Sequence, residues 1–378
     1  MKKFYLLGLI LVIIFTPIVA LEVNQKKLQQ QKLDFNKRIE TLQKELNDFK
    51  NQDQYKVNQE LKKEIDNTKT TFTKAVSVYE ELLDYKDNGG KNAKLDESFA
   101  KIISLLAKND YLSAQTSLAS ISAQIKSERE KLAATFKVPE NLPVVNIPPN
   151  AGYQRQKVQT DFGVFLVDII SADLNSTKVI VDTASDSNCA DNCPVLSLAD
   201  YVGRSGAFAG VNGSYFCPAT YPQCANKKNS FDTLLMNKNK IYFNSDNNVY
   251  STVPAAIFSG NSARFVTQSL EWGRDTGVDA VIANQPLLLL NGQIMFGGND
   301  DPKQGSKGNR SFIGANGNTV YIGVVHNVIV AESARVLKAL GINNALNLDD
   351  GGSTALWSGG YKVGPGRNLP NAVLLIRK

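Results

Sequence analysis

The stretch Ala331-Glu332-Ser333-Ala334-Arg335-Val336-Leu337-Lys338-Ala339-Leu340-Gly341, followed by Ile342-Asn343-Asn344-Ala345-Leu346-Asn347-Leu348-Asp349-Asp350-Gly351-Gly352-Ser353, decides the fold class. Ala331 to Leu340 has helical periodicity and stops at a glycine suited to the C′ position. A short apolar strand follows, and carboxylates and glycines gather where it ends. Such a turn lets a ligand approach the backbone and exposes amide donors to an anion. Taken alone, it reads equally well as an Asp-Gly hairpin turn.

Around this stretch lie short apolar segments bounded by Gly, Asn, Asp and Ser: Gly163 to Ile170, Val179 to Val181, Ala255 to Phe258 and Val320 to Val325. These read as strands. A second helix is expected over Ser197 to Val202. Many strands with two or three helices, and no regular strand and helix alternation, predict a layered α+β domain over 152–378.

Upstream the character changes. Glu22 to Tyr85 is polar and free of proline and glycine, with Ile39, Leu42, Leu46 and Phe49 in a/d rhythm, resumed by Leu61, Ile65, Phe72, Val76, Tyr79 and Leu83. A long helix is expected, forming a coiled coil or helical hairpin and open to homo-oligomerisation. Asn88-Gly89-Gly90 ends it, and two shorter helices follow, the last capped by Asn109 or Asp110. This helical region, 22–137, carries no cluster of reactive side chains and reads as scaffold. Pro139, Pro143, Pro148 and Pro149 make 138–151 an extended linker. Residues 1–21, with Lys2 and Lys3 before an apolar run, have the layout of a signal peptide or a retained membrane anchor, so the protein is expected to be secreted or held at the cell surface.

The charge balance, 42 Lys and Arg against 36 Asp and Glu among 378 residues, is thin and interleaved, which argues against nucleic-acid binding. In an exported chain, Cys189 with Cys193 and Cys217 with Cys224 are expected to form two local disulfides, in preference to a zinc site. The single histidine, His326, reads as a strand-end residue, and Ser353 lacks the G-x-S-x-G surroundings of a serine nucleophile.

Several ordered motifs together resemble the phosphodiester glycosidase family. Ala209 to Phe216 is similar to its Asn-Gly-Gly-Phe-Phe strand end, and Gln285-Pro286-Leu287 to Asn291-Gly292 to its Gly-Pro-Leu hairpin. Arg310-Ser311-Phe312-Ile313-Gly314 is similar to its Arg-x-x-Ile-Gly segment, Leu348 to Ser353 to its Leu-Asp-Gly-Gly-Gly-Ser run, and Arg367, Pro370 and Asn371 to its closing Arg-x-x-Pro-Asn. Two positions depart from the pattern: Asp350 stands at a glycine, and Gly366 where an acidic residue often precedes the arginine.

The resemblance implies a hydrolase acting on a carbohydrate phosphodiester, a sugar-1-phosphate diester, as in envelope polysaccharide. The rival reading is a non-catalytic glycan- or phosphopolymer-binding module on a helical stalk. In the hydrolase, Asp349 is the expected catalytic carboxylate with Glu332 as its partner. Arg310 and Arg367 would hold the phosphate through planar paired donors, aided by Asn212, Gly351, Gly352 and Ser353. No cofactor is required, and calcium at Asp349 and Asp350 stays open.

Overall fold

The computed structural model describes residues 2–246, 251–275 and 277–378, the side chains of 2–20 excepted. Contacts divide the chain into two compact units, Met1–Thr71 and Phe72–Lys378. The division falls inside a helix and not at the proline-rich stretch.

The long helix expected over Glu22 to Tyr85 is interrupted: α1 spans Lys2–Lys50 and α2 spans Asp53–Asp87. Ile39, Leu42, Leu46, Phe49, Leu61 and Ile65 are exposed. The leader expectation falls on side chains outside those described; among the described residues no helix is long and apolar enough to cross a membrane.

From Phe72 onward, helices acquire a core. Ala75, Val78, Leu82 and Tyr85 of α2 pack against Leu95, Ile102 and Leu106 of α3 (Ala93–Ala107) and against Ala114, Leu118, Ile121 and Ile125 of α4 (Tyr111–Thr135). The start signals are side-chain caps: Asn92 accepts from Lys94 N at 3.1 Å, and Asp110 accepts from Ser113 N at 3.2 Å. The prolines then carry the chain alongside its first strand, where Val145 N donates to Lys157 O at 2.8 Å.

The strand-rich part is built from three antiparallel sheets. The largest orders its strands Gly152–Thr160, Gly163–Asp173, Thr319–Val328, Gly308–Asn316, Asn344–Asn347, Leu287–Leu290 and Gln293–Ile294. A second runs Tyr361–Val363, Leu356–Ser358, Ala209–Asn212, Asn371–Arg377, Thr177–Thr183, and a third joins five short strands between Leu235 and Ala283.

Period-two alternation assigns the faces. In Gly163–Asp173, Ile170 and Ala172 enter the central core shared by the three sheets, with Ile322, Val324, Val211, Val373 and Ile282. Val167 and Ile169 point the opposite way, toward Val336, Leu337 and Leu340 at the final helix. That helix, α7 (Val330–Ala339), follows the short α6 (Pro302–Gly305) and ends before Gly341 at φ +85°. The second sheet is covered by α5 (Leu198–Ser205), capped by Ser197 accepting from Asp200 N at 3.1 Å and ended by Gly206 in the left-handed region. The chain is therefore α+β, with three helices in its strand-rich part among the described residues.

One polar cluster crosses the large sheet. Asp168, fully buried, accepts from Tyr153 Oη at 2.6 Å and Arg155 Nε at 2.9 Å, and meets His326 Nε2 at 2.6 Å. Arg155 and Asp168 are direct cross-strand partners. Burial alone would push this carboxyl up, but hydrogen bonds from His326, Arg155 and Tyr153 outweigh it and hold the group at about 2. A depressed folded value contributes stability that is present above the unfolded value near 4 and is lost as pH falls through about 2. Asp168→Asn should cost about 3 kcal/mol at pH 7 and flatten the loss of stability between pH 4 and 2. Denaturant melts across that range measure both; an unchanged acid limb would mean that the cluster is not what stabilises this face.

Candidate functional site

The ends of two sheets converge where the strand Asn344–Asn347 runs out. Leu348 N still donates to Ser311 O at 3.0 Å within the large sheet, but the next amide, Asp349 N, donates to Gly213 O at 2.9 Å beside the second. Asn212 secures the crossing. Its Nδ2 donates to Asp349 O at 2.6 Å, while its Oδ1 accepts from Ser311 Oγ at 2.7 Å and Ala355 N at 3.1 Å. Gly213 is required by close approach, since a Cβ there would collide with Asn371, whose Oδ1 accepts from Ser214 N at 2.9 Å.

Asp350 turns inward. Its Oδ2 accepts from Arg310 Nη1 at 3.1 Å, Asn347 Nδ2 at 2.9 Å and Tyr215 Oη at 3.2 Å, and its Oδ1 accepts from Ser311 N at 3.1 Å. Burial pushes its carboxyl up, opposed by Arg310, Asn347 and Ser311 N–H. A ring of donors suits an anion, so this carboxylate does not fit the calcium expectation. Among the described residues no group of three or more His, Cys, Asp or Glu is placed to hold a metal.

Arg310 is correspondingly committed. It is 6% exposed, and besides Asp350 it donates to Val328 O at 3.2 Å, Lys303 O at 2.9 Å and Ser306 O. Four of its five N–H donors thus go to protein acceptors, and Asn212, 0% exposed, is similarly engaged. The sequence expectation gave both to the substrate; in the structure both hold the turn that carries Asp349, and Arg310 also lines the cleft described next. Glu332 is removed from the site altogether. It accepts from Ile329 N at 3.0 Å in the first turn of α7 and pairs with Lys307 at 3.1 Å, a helix-start role that complements the backbone donors and dipole.

Asp349 faces a cleft of about 850 Å³ together with Gly351, Gly352, Ser353 and Arg367. Burial pushes its carboxyl up to about 7; the Ser353 hydrogen bond and the Arg367 charge pull the other way, and Asp350 adds to the rise. Gly351 takes φ +60°, and Arg367 N donates to Gly352 O at 2.8 Å. The Arg367 guanidinium lies 5.4 Å from the Tyr221 ring centroid, on a loop closed by the Cys217–Cys224 disulfide; Cys189–Cys193 closes another. Both disulfides have the pairing expected from sequence.

Three contributors were missed by sequence reasoning. Tyr215 and Asn347 lie in quoted motifs but were given no role. Asn347 Nδ2 donates to Tyr215 Oη at 2.7 Å and both donate to Asp350. Asp87, at the end of α2, makes an ion pair with Arg367. Nothing local in the sequence links residues so far apart.

The Asp349 carboxyl yields a stability test. A carboxyl raised in the folded state penalises folding when ionised, fully above pH 7, and the penalty is relieved as pH falls toward the unfolded value near 4. Asp349→Asn should therefore be more stable than the natural protein by about 2–4 kcal/mol at pH 8, with the difference shrinking toward pH 4. Melts at both pH values measure it, and no stabilisation at pH 8 would place the carboxyl in a more solvated setting.

No curated protein sequence matches the chain. The catalytic domain of zebrafish N-acetylglucosamine-1-phosphodiester alpha-N-acetylglucosaminidase is similar in structure at 14% identity, with a TM-score of 0.47 over 64% of this chain and 86% of that one. A hypothetical protein from Synechocystis is similar at 12% identity, with a TM-score of 0.44 over 60% of this chain; the match spans 62% of that protein's length. The family described as phosphodiester glycosidase matches residues 205–376, the stretch that supplies Asn212, Arg310, Asp349, Asp350 and Arg367.

Proposed function

We propose that the protein is an exported hydrolase that cleaves the glycosyl bond of sugar-1-phosphate diesters, such as those of an envelope polysaccharide. One observation carries the reading: a carboxyl raised to about 7, Asp349, shares a cleft with an arginine and a Gly-Gly turn inside the segment that matches the family. Water attacks the anomeric carbon as the bond from that carbon to the phosphate oxygen breaks. The products are the free sugar and a phosphate monoester. A phosphate leaving group departs as a stable anion and needs little general acid, so a base for the water is the greater requirement. A group titrating near the working pH meets it, and Asp349 takes the water proton. Arg367 offers the phosphate a charged planar fork, and the amides of the Gly351 turn add neutral donors. Asp350, Arg310 and Asn212 act through the backbone by fixing where Asp349 points.

The sequence of 1–21 supports export, with the protein either secreted or held at the cell surface, and two disulfides are consistent with an oxidising compartment. The helical region 22–137 would serve as stalk, its exposed a/d residues being available to a second copy of the chain. The linker 138–151 and the hydrolase domain 152–378 complete the organisation.

Release of phosphate monoester from a synthetic N-acetylglucosamine-1-phosphodiester tests the proposal on the full chain. Asp349→Asn and Arg367→Ala should each lower kcat/KM by about 100-fold or more, whereas Glu332→Gln should change it by less than about 3-fold. Activity should rise with pH through about 7, as Asp349 becomes the ionised base. Binding of sugar phosphodiesters without turnover, by folded protein across a panel of sugars, would replace the hydrolase with the glycan- or phosphopolymer-binding module.

A further inference from the structure

The strands Gly308–Asn316 and Thr319–Val328 keep one-to-one register from Asn316 opposite Thr319 to Arg310 opposite Val325, and then Gly308 pairs with Val328. One residue, Asn309, therefore stands against two, His326 and Asn327, and Asn327 takes up the bulge at φ +55°. A bulge of this kind re-aims side chains where a strand ends. Here it brings His326 Nδ1 to 3.0 Å from Asn309 Oδ1, and both residues line the cleft that holds Asp349 and Arg367. The ring is restrained elsewhere too. Its Nε2 lies 2.6 Å from Asp168 Oδ2, and Phe136 stacks on it with centroids 6.1 Å apart. Asp168, despite its burial, is held at about 2 by the hydrogen bonds it accepts, so it is ionised at neutral pH and keeps a hydrogen on Nε2. Asn309 O accepts from Thr354 Oγ1 at 3.3 Å, which ties the bulge to the residue after the Gly351–Ser353 turn. One polar group is left over. Among the described residues, Asn309 Nδ2 has no hydrogen-bond partner and is not sealed from solvent.

We propose that Asn309 is a substrate-binding residue whose Nδ2 donates to a phosphate oxygen, and that His326 and Asp168 are the residues that position it. An asparagine amide can rotate to show a ligand either its oxygen or its nitrogen. The ring at Oδ1 settles that choice, because a hydrogen on Nδ1 donates to the amide oxygen and leaves only the nitrogen for the cleft. In this arrangement both ring nitrogens carry hydrogen, and the charge is balanced by Asp168, which also accepts from Arg155. Two hydrogens without a lone pair suit an oxygen that has only lone pairs to offer. Arg310, next in the chain and lining the same cleft, favours one that is charged. The acetamido carbonyl of a sugar is the uncharged counterpart. The argument rests on the hydrolase reading for its substrate, but the donor itself predicts affinity for phosphate with or without turnover.

The test is calorimetric titration of the full chain with inorganic phosphate and, separately, with N-acetylglucosamine. Asn309→Asp keeps the side chain's shape and an oxygen for the ring but replaces the two hydrogens by a charged acceptor. It should weaken phosphate binding by about 10-fold or more and leave N-acetylglucosamine binding within about 2-fold. Asn309→Ala, which introduces no charge, should weaken phosphate by about 5-fold and serves if the charged variant does not fold. His326→Gln retains a donor for Asp168 and frees the Asn309 amide to rotate. It should weaken phosphate by about 3-fold alone and add nothing to Asn309→Ala, the mark of a residue that acts through another. No phosphate binding by the natural protein, or unchanged affinity in both Asn309 variants, would overturn the proposal. Weaker N-acetylglucosamine binding with phosphate unchanged would overturn the phosphate assignment, and additive losses in the double variant would overturn the positioning role of His326. Phosphate binding that follows the prediction, with no turnover of sugar phosphodiesters, would keep the donor and remove the hydrolase. Turnover with kcat/KM unaltered by Asn309→Asp would do the reverse.

Discussion

The Asp350 carboxylate and the donors around it set the geometry on which the candidate site depends. Arg310, Asn347, Tyr215 and Ser311 N–H come from two strands and one loop, and each directs a hydrogen atom at the same two oxygens. A buried guanidinium without that carboxylate would be left uncompensated, and a buried carboxylate without those donors would take up a proton. Neither partner is independent of the other. Their mutual satisfaction fixes the path of the chain just after Asn347, and the neighbouring residue, Asp349, is turned toward the cleft as a result.

The same economy of polar groups explains why adjacent aspartates behave differently. Asp350 has its charge balanced by Arg310. Asp349 has a hydrogen bond from Ser353 and the more distant charge of Arg367, which do not offset its burial. Environments that treat neighbouring carboxyls unequally are a common way to obtain an acid or base that works near neutral pH. The crossing hydrogen bonds of Asn212 tie the two sheets together at this point, so the position of Asp349 is inherited from both sheets.

Much of the fold was legible because local rules and tertiary packing agree. Apolar runs such as Val320 to Val325 became strands, the helix expected over Ser197 to Val202 formed as Leu198–Ser205, and cysteines close in sequence paired. The site was legible in part. The motif resemblance singled out Asp349 and Arg367, which line one cleft. It could not reveal that three donors of Arg310 go to carbonyls of residues 303, 306 and 328, since that depends on how a loop folds against a strand end. Glu332 lies at the start of α7 for a related reason: a glutamate three residues into a helix start has a backbone partner at hand. The contribution of α2 was invisible because the scaffold character of its sequence hides Asp87 among many carboxylates, and only packing brings it to Arg367.

The account turns on one ionisable group. The most direct measurement is a carbon-13 NMR titration of the aspartate side-chain carboxyls in the full chain, with Asp349→Asn used to assign the signal. The account predicts a resonance titrating near pH 7 that is absent from the variant. An Asp349 signal titrating below about 5, as an ordinary surface carboxyl does, would contradict it.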